Sequence, residues 1–273
     1  MIDHAGTSEQ GHVRFRNEDF IAHQMPEDCE VRQRKGSLFV VADGVGGSGA
    51  GDVASREAAQ TLVSAYYSVG RRPDRALAHA FARANLHVYD LGLKAGAFRM
   101  QTTMVALAIV GDKAYIAHVG DSRLYRVRSA TNIVPLTRDH SEVAELVRMQ
   151  ILTPENARHH PRRHIITRSV GSQPVLQVPA RVEVLEPGDT FVLCTDGLWE
   201  PLNDLDIAGI VAANLPAEAC RQLIALGLER QATDNLSVQV VKVLEVEQEK
   251  TPAVPNNGAW WQTLLRWAKR RAE

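Results

Sequence analysis

The chain has 273 residues, a formal net charge of −1 and a pI of about 6.8, which excludes the broad positive field that nucleic-acid binders carry, so no nucleic-acid partner is expected. With 45% hydrophobic and 23% charged residues it reads as a soluble chain able to bury a sizeable core, in one domain or one domain with a short appendage. Cys29, Cys194 and Cys220 are far apart and odd in number, which argues against a disulfide framework. Met1 is followed by no basic and then apolar leader, and no apolar run approaches the roughly 20 residues of a membrane span, so the expected compartment is the cytoplasm.

Leu38–Ala42 is a short apolar run ending in Asp43-Gly44 and reads as a buried strand. Helical patterning rich in Ala and Leu follows over 50–69 and 74–95, with Pro73 where a first helical turn tolerates it. Residues 103–110 and 113–119 are strand-like and joined by Gly111-Asp112, a two-residue hairpin signal; 123–128 and 132–136 continue the β stretch. Residues 139–171 break the pattern, helix-like over 142–149 and then polar and basic through Arg158, His159, His160, Arg162 and Arg163, as an excursion from the core. Strands return at 181–185 and 190–195, expected to pair around Pro187-Gly188, before helices over 204–213 and 216–231 and a last strand over 236–244. Strands, then helices, then strands predict α+β rather than alternating βαβ, and no internal repeat is present.

Beyond Lys250 the composition changes: 251–258 reads as a linker and 259–273 as a separate amphipathic segment. A helical wheel places Trp260, Trp261, Leu264, Leu265 and Trp267 on one arc and Gln262, Arg266, Lys269 and Arg270 on the other. Such a helix either folds back on the core or, through 259–271, makes peripheral contact with an anionic membrane surface or a partner's groove.

Five acidic sites share one context, a carboxylate beside a glycine, an asparagine or a turn: Asn17-Glu18-Asp19, Asp43-Gly44, Gly120-Asp121-Ser122-Arg123, Asp196-Gly197 and Asp234-Asn235. One Asp-Gly pair marks only an ordinary turn. Repetition changes the reading, because Val40-Val-Ala-Asp43 and Val192-Leu-Cys-Thr-Asp196 both carry an apolar run into a carboxylate. Carboxylates gathered this way repel, burial makes the repulsion worse, and the cluster therefore requires cations. Oxygen donors select hard ions, Mn²⁺ or Mg²⁺, over zinc, and two such ions roughly 3.5–4 Å apart can hold a hydroxide for in-line attack on phosphorus. Two other readings are weaker. Gly44-Val-Gly46-Gly47-Ser-Gly49 fits a dinucleotide fingerprint, but Asp43 would face the pyrophosphate with like charge and no acidic residue stands at the ribose spacing. His159, His160 and His164 have no cysteine near them and read as a solvated basic surface rather than a zinc site.

In chain order, Arg14-x-x-Asn17-Glu18-Asp19, Val41-Ala-Asp43-Gly44-Val-Gly46-Gly47, Val119-Gly-Asp121-Ser122-Arg123, Cys194-Thr-Asp196-Gly197-Leu-Trp199 and Thr233-Asp234-Asn235-Leu-Ser237 resemble the motifs of the metal-dependent protein phosphatases of the protein phosphatase 2C (PPM) type. The likeness runs from about residue 5 to 243 and is greatest to the short bacterial branch. It implies a four-layer α+β sandwich over 1–250, with two antiparallel sheets flanked by helix pairs. The segment 139–171 falls where the family carries its flap beside the active site; the linker at 251–258 and the amphipathic C-terminal segment at 259–273 lie beyond the likeness.

The resemblance also implies hydrolysis of phosphoserine and phosphothreonine on proteins with two Mn²⁺ or Mg²⁺ ions. Asp43 would bridge the two, with Asp196 and Asp234 completing one site. Glu18 and the Gly44 carbonyl would complete the other, with Asp19 in its water shell, and Asp121 would serve a third, weaker ion. Arg14 stands where the family's phosphate-binding arginine sits, and its planar fork suits bidentate contact. The expected partners of this monomer are phosphorylated proteins, a bacterial Ser/Thr kinase or its targets among them. Two departures stand out: Val45 replaces a histidine that some members use to protonate the leaving group, so no general acid is assigned, and Gln101-Thr102-Thr103 replaces Gly-Thr-Thr. A regulatory phosphatase of an anti-sigma antagonist ranks second, for want of an attached sensor domain. An inactive fold used as a binding module ranks last, because no metal carboxylate is lost.

Overall fold

The computed structural model describes residues 1–45, 49–96 and 100–246. The linker at 251–258 and the amphipathic segment at 259–273 lie outside the described residues. In chain order the elements are β1 (Ile2–Glu9), β2 (Asp19–Gln24), α1 (Cys29–Lys35), β3 (Ser37–Gly44), α2 (Gly51–Ser68), α3 (Pro73–Lys94), β4 (Thr102–Val110), β5 (Lys113–Val119), β6 (Arg123–Ser129), β7 (Asn132–Pro135), α4 (Glu142–Arg148), α5 (Pro154–Arg158), β8 (Arg181–Val184), β9 (Thr190–Cys194), α6 (Asp196–Trp199), α7 (Asp204–Ala213), α8 (Pro216–Glu229) and β10 (Leu236–Val243).

Two antiparallel five-stranded sheets result, in the orders β1-β10-β9-β6-β7 and β2-β3-β4-β5-β8. Side chains alternate faces along a strand, and here both faces are apolar. β3 sends Leu38, Val40 and Ala42 toward α2 and α3, and Phe39 and Val41 toward the other sheet. β9 likewise divides into Val192 and Cys194 beneath α7 and α8, and Phe191 and Leu193 between the sheets. Three apolar layers therefore separate four layers of structure, and the central strands read as continuous hydrophobic runs because neither face meets water. Gln239 shows how a polar side chain inside that stack is paired. Gln239, fully buried between the sheets, donates Nε2 to the carbonyls of Val40 (2.6 Å) and Ala22 (3.2 Å), while its Oε1 meets His4 Nε2 at 2.8 Å.

The expected α+β class and four-layer order hold, and the predicted helices and central strands fall within a residue or two of the observed ones. The expected pairing of 181–185 with 190–195 does not hold. β8 joins β5 in one sheet and β9 joins β6 and β10 in the other, so Pro187-Gly188 carries the chain across the sandwich instead of closing a hairpin. The three cysteines are free, with Cys194 and Cys220 buried. No helix among the described residues is long and apolar enough to cross a membrane.

Candidate metal centre

Six segments bring their polar residues to one end of the sandwich. The connection from β1 to β2 carries Arg14 and Glu18; β2 begins at Asp19 and β3 ends at Asp43-Gly44, and the ladder sets Asp19 directly opposite Asp43. Asp121 follows β5, Asp196 opens α6 directly after β9, and Asp234 precedes β10. Asp43 is the hub: burial first, then repulsion from Asp19, Asp196, Asp121 and Asp234, holds its carboxyl well above the usual range. Burial is also the largest cause for Asp19, Asp196 and Asp121. It raises Asp19 to about 8, against the opposing hydrogen bonds of Ser237 and Thr195, and Asp196 to about 7 with Asp234 and Glu200 adding repulsion. Asp121 is likewise pushed well up, by burial and then by Asp196 and Asp139.

Local chemistry fixes this arrangement. Thr195 Oγ1 donates to Asp19 Oδ2 at 2.9 Å, and Thr102 Oγ1 donates to the Asp43 carbonyl at 2.7 Å. Asn235 accepts from the Glu18 amide at 2.9 Å and donates to the carbonyls of Gln10 (2.8 Å) and Arg16 (3.0 Å), tying the Arg14–Glu18 connection to the start of β10. Two glycines admit backbone where a side chain would not fit. A Cβ on Gly44 would lie 2.3 Å from the Gly51 carbonyl oxygen, and one on Gly197 would lie 2.1 Å from that of Asn235. Glu18 is seated against the start of α2, where a Cβ on Gly51 would meet its Oε1 at 2.8 Å.

Around this centre, Arg14 Nη2 donates to Asp234 Oδ2 at 2.5 Å. Trp199 Nε1 donates to the Asp121 carbonyl at 3.0 Å, and the Arg123 guanidinium lies 3.4 Å from the centre of the Trp199 ring while gripping both Asp139 oxygens. His118 and His140 stack in parallel at 4.7 Å, and His140 Nδ1 accepts from the Gly120 amide at 3.1 Å. Burial, then His118 and Arg168, lowers His140 to about 4. His164 joins not His159 and His160 but Asp196 and Glu200, with one donor atom of each within 4.8 Å of the others. Val45 donates its amide to the Gln101 carbonyl at 2.9 Å, and Gln101 Oε1 accepts from Ser169, so the departure at Gln101 ties β3 to the end of the excursion.

Thr195, Thr102 and Asn235 all lie within the motifs or the departure read from the sequence, yet received no role there. Each acts on a group far away in the chain, which local spacing does not reveal. The residues present fit hard divalent cations. The donors are oxygens, their mutual repulsion needs positive charge, and Asp196 Oδ1 is buried with no hydrogen-bond partner.

The protein phosphatase 2C family profile matches residues 3–236. The chain belongs to that family, and with it to the protein-serine/threonine phosphatases. It is 32% identical over 247 residues to the protein phosphatase PhpP of Streptococcus pneumoniae, covering 89% of this chain and 98% of that one. Its fold is similar to the crystal structure of the Mycobacterium tuberculosis serine/threonine phosphatase PstP/Ppp, with a TM-score of 0.79 and 29% identity over 89% of this chain and 99% of that one. It is also similar to the catalytic domain of PstP in complex with two manganese ions, with a TM-score of 0.77 and 28% identity over 89% and 99% of the two chains.

Proposed function

We propose that this chain removes phosphate from phosphoserine and phosphothreonine in proteins, reversing a bacterial Ser/Thr kinase, with Mn²⁺ or Mg²⁺ held by Glu18, Asp19, Asp43, the Gly44 carbonyl, Asp196 and Asp234, and a third ion at Asp121. The observation that carries the reading is the carboxylate hub at Asp43 with the unpartnered Asp196 Oδ1 beside it. Hard divalent ions held by these residues would offset the carboxylate charge and would supply a metal-activated water as nucleophile at neutral pH. Residues 1–250 form the phosphatase unit in this reading, with 139–171 as its flap.

The protein's own groups then divide the work. Asp19 and Asp43 are held opposite one another by the β2–β3 ladder; Thr195 orients the Asp19 carboxylate, and Thr102 holds the Asp43 backbone carbonyl. Arg14 is nearly half exposed and gives Nη2 to Asp234. Once cations take up the charge of Asp234, the guanidinium fork is free for two oxygens of the substrate phosphate. No general acid is assigned to His140, whose Nδ1 already accepts from the Gly120 amide and whose burial favours the neutral ring. The test is turnover of a phosphothreonine peptide with and without added Mn²⁺. Wild type should be active only with metal and Asp196→Asn inactive throughout; metal-independent turnover, or an active Asp196→Asn, would overturn the proposal.

A further inference from the structure

A cleft of 1160 Å³ opens beside the carboxylates, reaching Asp121 and Asp234 on one side and the 139–171 segment on the other. It exceeds the roughly 300–1,000 Å³ of small-molecule sites, as a site for a protein segment should. Its wall carries Arg138 from the connection after β7, Arg158 at the end of α5, and Arg168 where the chain leaves the flap. Most of the wall's other charges cancel. Asp139 is engaged by Arg123, Glu145 by Arg148, Glu200 by Arg163, and Asp234 by Arg14. Asp121 belongs to the candidate metal centre.

Three guanidinium groups are left over. Arg138, Arg158 and Arg168 are exposed and have no carboxylate partner among the described residues; Arg168 gives Nη2 only to the Gln177 carbonyl, at 3.3 Å. They come from three separate segments, so no single element's surface composition accounts for their meeting. Nor does the scissile phosphate need them, since Arg14 already stands at the metal centre. A cleft lined by one sign of charge concentrates ligands of the other.

We infer that this cleft binds an anionic group that the substrate carries beside its phosphorylated residue, so that the preferred substrate is a phosphopeptide with negative charge flanking the scissile position. The inference rests on the phosphatase reading and narrows its substrate class. Flanking carboxylates and a second phosphate offer the same chemistry to a guanidinium, and the assay separates them.

The full chain with Mn²⁺ is given a neutral phosphothreonine peptide, the same peptide with two glutamates on either side of the phosphothreonine, and one with a non-hydrolysable phosphonate there instead. At low salt, three partly exposed ion pairs amount to roughly a tenfold preference in kcat/KM for the anionic peptides over the neutral one. That preference should reside in KM and shrink in ~0.5 M salt. In the Arg138→Gln/Arg158→Gln/Arg168→Gln variant the ratio should fall to about twofold or less. Because the ratio is taken within each protein, a general loss of fold or turnover does not imitate the effect. A gain with glutamate assigns the cleft to acidic side chains, and a gain with the phosphonate alone assigns it to a second phosphate. Equal handling of all peptides by wild type, or a ratio that survives the triple substitution, overturns the inference while leaving neutral-peptide turnover to support the phosphatase reading. Fluorescence anisotropy with the same peptides yields the binding ratio even if turnover fails.

Discussion

The carboxylate wall of the cleft and the flap wall facing it are held in place by different forces. Asp19, Asp43 and Asp196 are attached to β2, β3 and the end of β9, whose neighbours are sealed in three apolar layers. Across the cleft, α4 buries only Val143 and α5 buries nothing; the segment relies on caps from Ser141 and Thr153 and on surface ion pairs such as Arg162–Glu142. Large buried areas hold like charges together against repulsion, whereas exposed ion pairs are worth roughly 0–1 kcal/mol each. The rigid wall therefore suits positioning of reacting groups, and the lightly held wall suits discrimination among substrates.

The largest effect should come from the hub. Asp43→Asn should lower kcat at least ~1,000-fold, yet raise the melting temperature of metal-free protein, since it removes a carboxyl whose ionisation is opposed first by burial and then by four neighbouring carboxylates. A lower metal-free melting temperature would mean that the wall is not under electrostatic load. Next in size is Gly197→Ala, whose Cβ would meet the Asn235 carbonyl. Forced overpacking of this kind costs roughly 1–3 kcal/mol. Gly209→Ala in α7, with open space at its Cβ, should instead stabilise by about 0.5–1 kcal/mol through helix propensity. Opposite signs in urea unfolding would sharpen the comparison; equal losses would break it.

Smaller effects belong to the 139–171 segment. Arg162→Ala should shift the global melting temperature by no more than about 2 °C, while limited proteolysis within 141–166 becomes faster. A large global shift would show that this segment is part of the cooperative core. The pH dependence at its root follows from His140, lowered to about 4 chiefly by burial, and from His118, also lowered. These bases are depressed below their ordinary 6.5, so the unfolded chain binds more protons between those values. Their contribution to stability is thus present above about pH 6.5 and is lost as pH falls toward 4. NMR titration of the ring signals should give His140 a midpoint well under 6.5; an ordinary midpoint would contradict the packed, neutral pair.

Much of the rigid wall was legible in the sequence because its strands end in carboxylates after apolar runs, a local signal. What was not legible required partners from far along the chain. β1 and β2 were missed: each is the edge of its sheet, and sequences such as Ile2-Asp-His-Ala-Gly-Thr-Ser-Glu9 show no clean apolar face. The division into two sheets was missed at Pro187-Gly188, since a turn residue reports a change of direction but not which neighbour receives the strand. Thr195 and Asn235 stood inside the motifs without a role, because the groups they hold, Asp19 and the Glu18 amide, lie 176 and 217 residues away.

Asn235 has a consequence for how the enzyme comes into being. β1 pairs along its whole length with β10, and Asn235 clasps the Gln10–Glu18 connection, so the first and last strands among the described residues meet beside the carboxylates. A chain emerging from the ribosome from its N-terminus can lay down β2 through β5 early, but β1 has no sheet neighbour until β10 arrives. Contacts of such long sequence separation are slow to close. Truncation within β10 should therefore abolish turnover even though Glu18, Asp19, Asp43, Asp121 and Asp196 are all present, and a chain ended before Leu236 that still turned over a phosphopeptide would contradict this.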